Sequence, residues 1–132
     1  MSDTSQPSVL VLDDDNFLLQ MYGMKFSKEG FIVQTYLSVR EALEALRKGY
    51  KPDAIVFDIV MPESDGFTFL ESLRSEHLGE GSCKIALTNQ NTDAERNRAH
   101  ELGADEFLLK ATMIPSEVVN TVRTVIEKRK KQ

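Results

Sequence analysis

The sequence DAIVFDIVMPESDG, residues 53–66, joins a short apolar run to a turn through a single acid, Asp58. An unbroken run of Ala, Ile, Val and Phe is typical of a parallel strand covered on both faces, since a half-exposed strand alternates apolar and polar residues. Met61-Pro62 and Asp65-Gly66 then break the pattern. In open parallel sheets, ligands bind at the carboxyl ends of the strands. The stretch therefore predicts a buried strand with a functional carboxylate at its tip.

Four more apolar runs lie elsewhere in the chain, and all five are followed by helical patterns. The predicted strands are Val9–Leu12, Phe31–Leu37, Ala54–Phe57, Lys84–Leu87 and Glu106–Leu109. The first predicted helix runs from about residue 16 to 29, with Phe17, Leu18, Met21, Tyr22 and Phe26 at helical spacing. The second runs from Ser38 to Gly49, the third follows Asp65-Gly66, and the fourth runs from Thr92 to Gly103. The fifth begins at about Pro115 and leads into a charged tail at Glu127–Gln132. Alternating strands and helices with short connections predict an α/β fold, a doubly wound five-stranded parallel sheet.

Composition and charge exclude several classes of protein. The chain is 41% hydrophobic and 28% charged, as in an ordinary globular domain, and its net charge of −5 argues against direct nucleic-acid binding. One cysteine cannot form an internal disulfide, and the sequence has no Cys/His cluster typical of zinc sites. No run approaches the roughly 18 apolar residues of a membrane span. We expect a cytoplasmic protein with a flexible arm at residues 1–7 and one domain at 8–132.

Polar residues follow four of the five predicted strands. Asp13 and Asp14 follow the first strand, Asp58 the third, Thr88 the fourth and Lys110 the fifth. Because the carboxyl ends of parallel strands share one edge of the sheet, we expect these side chains to converge. Strand ends are often polar, so coincidence explains any one of these residues well. It explains all four positions poorly, and the sequence therefore predicts a functional site at this edge.

The chemistry of this site follows from its charges. Carboxylates of Asp13, Asp14 and Asp58 would repel one another, and at least one pKa would rise unless a cation joined them. Mg²⁺ suits such a site because it prefers oxygen ligands and is held by one or two carboxylates plus a phosphate. Lys110 adds a compact positive charge, and Thr88 adds a hydroxyl donor. This is the minimal equipment for phosphoryl transfer to an aspartate, here Asp58.

The chain resembles the receiver domain of two-component response regulators, including the stand-alone chemotaxis-type members. The likeness runs from Val9 to about Lys128 and depends on five motifs in order: Leu12-Asp13-Asp14, Asp58-x-x-Met61-Pro62-x-x-Asp65-Gly66, Leu87-Thr88, Gly103-Ala104 and Phe107-x-x-Lys110. The resemblance implies the flavodoxin-like strand order 2-1-3-4-5.

The resemblance also implies roles for the site residues. Asp58 would receive its phosphoryl group from a sensor histidine kinase or a histidine phosphotransfer protein. Mg²⁺ would be held by the side chains of Asp14 and Asp58 and by the carbonyl of Val60, with Asp13 helping through water. Thr88 and Lys110 would bind the phosphoryl oxygens. The protein would then catalyse its own phosphorylation and slow dephosphorylation, and would not turn over an external substrate.

A conformational switch is the second implication of the resemblance. Thr88 would be drawn toward the phosphoryl group, and the aromatic Phe107 would then swing inward, where the family frequently has tyrosine. The fourth helix, fifth strand and fifth helix would form the face that binds a downstream protein. Taken alone, Phe107 is better interpreted as a plain core residue. No output domain is expected after the last helix, so the protein would act through a partner and bind neither DNA nor a membrane.

Three features depart from the family pattern. Asn89 stands where the family usually has a small residue, and its side chain could crowd the phosphoryl approach. Ala111 follows Lys110 where the family usually has proline after a cis bond. The bond here is either trans with a different loop or a cis bond that costs about 2.5–4 kcal/mol. Val60 and Gln90 occupy positions beside the water that would dephosphorylate the aspartate, and they leave the lifetime of the phosphate open.

Two other functions remain possible on the sequence alone. Asp13-x-Asp15 after an apolar strand resembles the start of haloacid-dehalogenase-type phosphatases, in which the first aspartate is the nucleophile. The sequence does not show the second acid pair or the cap insertion that are typical of that family. In such a phosphatase Asp58 would have no role. The other alternative is a receiver-like interaction module that works without phosphorylation, which Asn89 and Ala111 keep open.

Overall fold

The computed structural model describes residues 6–89 and 92–131, which build one parallel sheet in the order β2-β1-β3-β4-β5. The strands are β1 (Ser8–Leu12), β2 (Ile32–Tyr36), β3 (Ala54–Phe57), β4 (Cys83–Thr88) and β5 (Glu106–Leu109). The helices are α1 (Asn16–Lys28), α2 (Val39–Arg47), α3 (Gly66–Glu76), α4 (Asp93–Glu101) and α5 (Pro115–Lys130). The predicted fold and strand order are confirmed. Gln90 and residues 1–5 of the predicted arm lie outside the described residues.

Apolar residues fill both faces of the sheet. Side chains alternate along each strand, so Val9 and Val11 face α1 and α5, whereas Leu10 and Leu12 face α2, α3 and α4. Every residue of β3 is buried, which confirms the strand covered on both faces. Among the described residues, no helix has the length and apolar character needed to cross a membrane.

The predicted boundaries differ from the structure by one or two residues. α5 extends through the charged residues after its apolar stripe to Lys130, and these residues are exposed, as expected of a solvated end. Glu, Lys and Arg are good helix formers, and basic residues in the last turn interact favourably with the helix dipole. β2 is one residue shorter at each end than predicted, and β4 is extended by Cys83 and Thr88.

The buried face of α1 also differs from its predicted stripe. Leu19, Tyr22 and Phe26 are buried, whereas Phe17 is 75% exposed. Gly23 allows this helix to approach β2 closely, because a Cβ at this position would lie 3.1 Å from Cγ2 of Thr35. The helix therefore depends on tertiary packing, which offsets the unfavourable helix propensity of glycine.

A close backbone approach after β3 fixes the position of Asp58. The N–H of Gly66 donates to the carbonyl of Ile59 at 2.8 Å, and Asp65 caps α3 by accepting from the N–H of Thr68 at 2.9 Å. A Cβ on Gly66 would lie 2.6 Å from the carbonyl oxygen of Asp58 and 2.8 Å from Cα of Ile59. Only glycine lets the start of α3 lie this close to the Asp58–Ile59 peptide.

We predict that Gly66→Ala destabilises the fold by about 1–3 kcal/mol, because the methyl group meets backbone atoms that cannot move aside. Urea denaturation followed by circular dichroism measures the change. Gly81→Ala is the matched control, since a Cβ at Gly81 has nothing within 4 Å and should leave stability unchanged or slightly raised. Equal stability of the Gly66→Ala variant and the wild type would contradict the proposed close approach.

Candidate functional site

The carboxyl ends of β1, β3, β4 and β5 meet at a cleft of about 300 Å³. Six of the seven predicted site residues line it. The lining residues are Asp13, Asp14, Asp15, Leu18, Asp58, Val60, Thr88, Asn89 and Lys110. Phe107, the seventh predicted residue, lines a separate pocket beside α4.

Lys110 bridges two of the carboxylates. Its Nζ donates to Oδ2 of Asp13 at 2.7 Å and to Oδ2 of Asp58 at 2.8 Å, and its side chain is only 9% exposed. Burial lowers the pKa of the Lys110 ammonium, but the hydrogen bonds to the two carboxylates and their charges outweigh this effect and raise the pKa above its usual value. Lys110 therefore stays protonated and compensates the two acids.

Asp13 is the most deeply placed acid of the cleft, with 3% of its surface exposed. Its pKa is raised, chiefly by burial, and the charge of Asp58 adds to the rise. The hydrogen bond from Lys110, the N–H of Asp15 at 2.9 Å and the charge of Lys110 offset part of it. The expected rise in a carboxylate pKa is present, but desolvation contributes more to it than repulsion between the acids.

Backbone amides orient the carboxylate of Asp58. Its Oδ1 accepts from the N–H of Ile59 at 2.7 Å and from the N–H of Val60 at 3.3 Å, while its Oδ2 faces Lys110. Its own N–H donates to the carbonyl of Leu12 at 3.0 Å. Both carboxylate oxygens are thus held by the fold. The amide contacts were not predicted from the sequence, because every residue except proline carries an N–H and its direction depends on the loop.

Three carboxylates can contribute ligands to one cation. One oxygen from each of Asp13, Asp14 and Asp58 lies within 4.8 Å of the others, and Asp14 is exposed to solvent. Asp15 has a different role, because its side chain caps α1 by accepting from the N–H of Leu18 at 3.1 Å. An all-oxygen donor set open on one side fits a hard divalent cation such as Mg²⁺, which retains several waters.

Thr88 and the segment after Lys110 complete the cleft. Thr88 ends β4 and is fully buried, whereas Asn89, the next residue, is exposed at the mouth. The peptide bond between Lys110 and Ala111 is trans, and residues Lys110–Thr112 form a 3₁₀ turn. Of the two alternatives for this bond, the structure has the trans form.

Phe107 is half-buried on the outer strand of the sheet. Its ring packs against the core formed with α2, α3 and α4, and the guanidinium of Arg96 lies over it, 4.8 Å from the ring centroid. Arg96 was not predicted from the sequence. An arginine on a polar helix gives no sequence signal for contact with an aromatic ring on a later strand.

A wider groove of about 880 Å³ lies between α1 and α5. Its walls include Met21, Met24 and Ile114, and none of the predicted site residues lines it. The cleft at the sheet edge is smaller, but it contains the converging acids, the lysine and the threonine. Chemistry, and not volume, identifies that cleft as the candidate site.

Comparison with known proteins agrees with this architecture. Residues 9–123 match the response regulator receiver domain family. The chain is 33% identical over 125 residues to the transcriptional regulatory protein PrrA of Mycobacterium bovis, a match that covers 95% of the chain and 52% of PrrA. It is 32% identical over 123 residues to an uncharacterized 14.6 kDa protein in the sodA1 3′ region of Leptolyngbya boryana, covering 93% of the chain and 92% of that protein. The chain thus spans about half the length of PrrA.

Solved structures show the same fold. A response regulator receiver domain protein (CheY-like) from Methanospirillum hungatei JF-1 superposes with a TM-score of 0.87 at 22% identity. The match covers 96% of this chain and 98% of that one. At this level of identity the similarity shows the fold alone.

We predict that Lys110→Met destabilises the metal-free protein by about 3 kcal/mol at neutral pH, because it leaves buried carboxylates without their cation. The loss should be small in acid. Without the lysine, the pKa of Asp13 in the folded state rises further above its ordinary value of 3.8. In the window from that value up to the folded-state pKa, the folded state binds more protons than the unfolded state, so stability falls as the pH rises.

Urea denaturation of both proteins across this pH range measures the difference. Lys48→Met is the control, since Lys48 is exposed on the other side of the fold and its loss should change little at any pH. A Lys110→Met protein whose loss of stability does not depend on pH would contradict the role of Lys110 in compensating the acids.

Proposed function

The chain belongs to the response regulator receiver domain family, and we propose that it is the phosphoacceptor module of a two-component pathway, with Asp58 as the phosphorylated residue. Receiver domains are signalling modules and do not turn over an external substrate. The observation that supports Asp58 most directly is its position, fixed at the tip of β3 with Lys110 at 2.8 Å and with Asp13 and Asp14 beside it.

In the proposed reaction, a carboxylate oxygen of Asp58 attacks the phosphorus of a phosphohistidine. The P–N bond breaks, its electron pair returns to the imidazole, and an acyl phosphate forms on Asp58. Charge moves from the carboxylate to the phosphoryl oxygens, and Lys110 is close enough to follow it. The N–H groups of Ile59 and Val60 orient the carboxylate for this attack.

Mg²⁺ bound by Asp13, Asp14 and Asp58, with the carbonyl of Val60, would supply additional positive charge to the phosphoryl oxygens. The rest of the stabilisation comes from the chain itself. Lys110 offers an ammonium, and Thr88 lines the same cleft with a hydroxyl. Lys110 already contacts Asp58 before the transfer, so little reorganisation of its charge is needed.

Signalling would follow from a shift between two packings of the domain. In our proposal the phosphoryl group attracts the hydroxyl of Thr88, and the space that this residue leaves favours an inward position of Phe107. The surface formed by α4, β5 and α5 would change, and a downstream protein would bind one of its two forms. A sensor histidine kinase or a histidine phosphotransfer protein would be the donor.

The remaining predictions concern the partners of the protein and its location. PrrA is named a transcriptional regulatory protein, and this chain matches about half of its length. We propose that the region described here acts through protein contacts, without direct binding to nucleic acid or a membrane. A cytoplasmic location stays a prediction.

We predict that incubation with acetyl phosphate and Mg²⁺ adds one phosphate to the protein and that Asp58→Asn abolishes the addition. Intact mass spectrometry measures both results. Asp13→Asn should slow the reaction without abolishing it, because Asp13 contributes charge for the cation and does not accept the phosphoryl group.

The alternatives lead to different outcomes of the same measurement. Label retained in Asp58→Asn but lost in Asp13→Asn would favour the phosphatase-like assignment. No label from acetyl phosphate or from a histidine donor, in a protein that still binds Mg²⁺, would favour an interaction module that works without phosphorylation.

We predict that Asn89→Ala speeds phosphorylation by acetyl phosphate up to about tenfold, which corresponds to about 1.4 kcal/mol of barrier. The reason is steric, because Asn89 lies at the mouth of the cleft. The time course of mass increase measures the rate. Gln20→Ala, which shortens an exposed amide side chain on α1, should have the wild-type rate. A rate for Asn89→Ala equal to or below the wild type would show that this side chain does not crowd the cleft.

A further inference from the structure

Helix α4 is held on the sheet differently from the other helices. Within Asp93–Glu101, all of which is described, Ala99 is the one buried residue, whereas the other four helices each bury three to five. Burying one alanine removes little apolar surface from water. Other contacts must therefore keep α4 in place.

Two arginines on opposite sides of α4 supply these contacts. The guanidinium of Arg98 lies 4.3 Å from the ring centroid of Phe67 in α3, and that of Arg96 lies 4.8 Å from the ring centroid of Phe107 in β5. Residues two apart in a helix point about 200° apart, so the pair reaches both flanks of α4. Arg74 adds a hydrogen bond from Nη2 to the carbonyl of Glu101 at 2.8 Å.

The contact between Arg96 and Phe107 joins elements that lead into the site. Phe107 pairs with Ala86 on β4, two residues before Thr88, and lies three residues before Lys110 on β5. α4 begins after its cap at Thr92, a short distance along the chain from Thr88. The ring of Phe107 therefore lies between α4 and the strands that lead to Thr88 and Lys110.

We propose that Arg96 is a positioning residue for the switch: its guanidinium holds the Phe107 ring in the half-buried position and opposes the packing that phosphorylation of Asp58 favours. This inference rests on the proposed function. The contact of a cation with the face of an aromatic ring at an exposed site changes an equilibrium constant by roughly two- to fivefold. If the contact exists only while the ring is outward, its loss moves the population toward the phosphorylated packing.

The test measures the affinity of the protein for beryllofluoride, a stable mimic of a phosphoryl group, in the presence of Mg²⁺ by NMR titration. Arg96→Met keeps the length of the side chain but removes its charge, and should bind beryllofluoride about two- to fivefold more tightly than the wild type. Arg96→Lys restores a cation above the ring and should return the affinity toward the wild-type value. A purely structural role of Arg96 would not predict this rescue.

Two controls separate the ring of Phe107 from the general attachment of α4. Arg98→Met removes the contact with Phe67 on the other flank and should leave the affinity unchanged. In a Phe107→Leu background, Arg96→Met should have no further effect, because the ring on which it acts is absent.

Each remaining outcome counts against the inference. Equal tightening by Arg96→Met and Arg98→Met would show that α4 is merely loosened and that Arg96 does not act through Phe107. Unchanged or weaker binding by Arg96→Met, in a wild type that does bind beryllofluoride, would overturn this inference and leave the proposed function intact. A wild type that binds neither beryllofluoride nor phosphate at Asp58 would overturn both.

Discussion

The ion pairs of Lys110 with Asp13 and Asp58 are the interaction on which the site depends. Neighbouring strands lie about 4.8 Å apart, so β5 is roughly 10 Å from β3 with β4 between them. A lysine side chain is long enough to cross β4 and reach both acids, at 2.7 and 2.8 Å. Without it, the buried carboxylates of Asp13 and Asp58 would lose the ammonium that bridges them.

The same interaction links stability to function. Asp13 is buried enough for its pKa to be raised, and its contacts with Lys110 offset part of the cost of burial. Asp58 borders an open cleft on one side, and in the proposed phosphoryl transfer Lys110 would stay beside the charge as it moves. Burial of such acids costs stability, and under the proposed function the same acids would hold the cation and accept the phosphoryl group.

Much of this architecture could be predicted from the sequence because it depends on local patterns. The unbroken apolar run of β3 determined its burial on both faces, and polar residues at strand ends determined which side chains converge. The order 2-1-3-4-5 required the resemblance, since no local pattern specifies which strands pair. The exposure of Phe17 could not be predicted, because the spacing of apolar residues along α1 does not show which of them the rest of the fold covers.

Contacts made by backbone groups and long side chains escaped prediction for another reason. The amides that orient Asp58, the two-sided bridge of Lys110 and the position of Arg96 over Phe107 depend on loop geometry and rotamers that are set only when the whole fold forms. Gly66 is intermediate. Its place in a turn was evident from Asp65-Gly66, but its contact with the Asp58 peptide became clear only in three dimensions.

The crystal structure of the protein with Mg²⁺ and beryllofluoride tests the central claim most directly. Our account predicts beryllium on a carboxylate oxygen of Asp58, the cation among Asp13, Asp14 and Asp58, and Nζ of Lys110 in contact with a fluorine. An adduct on Asp13, or an unmodified Asp58 still paired with Lys110 at saturating beryllofluoride, would contradict it.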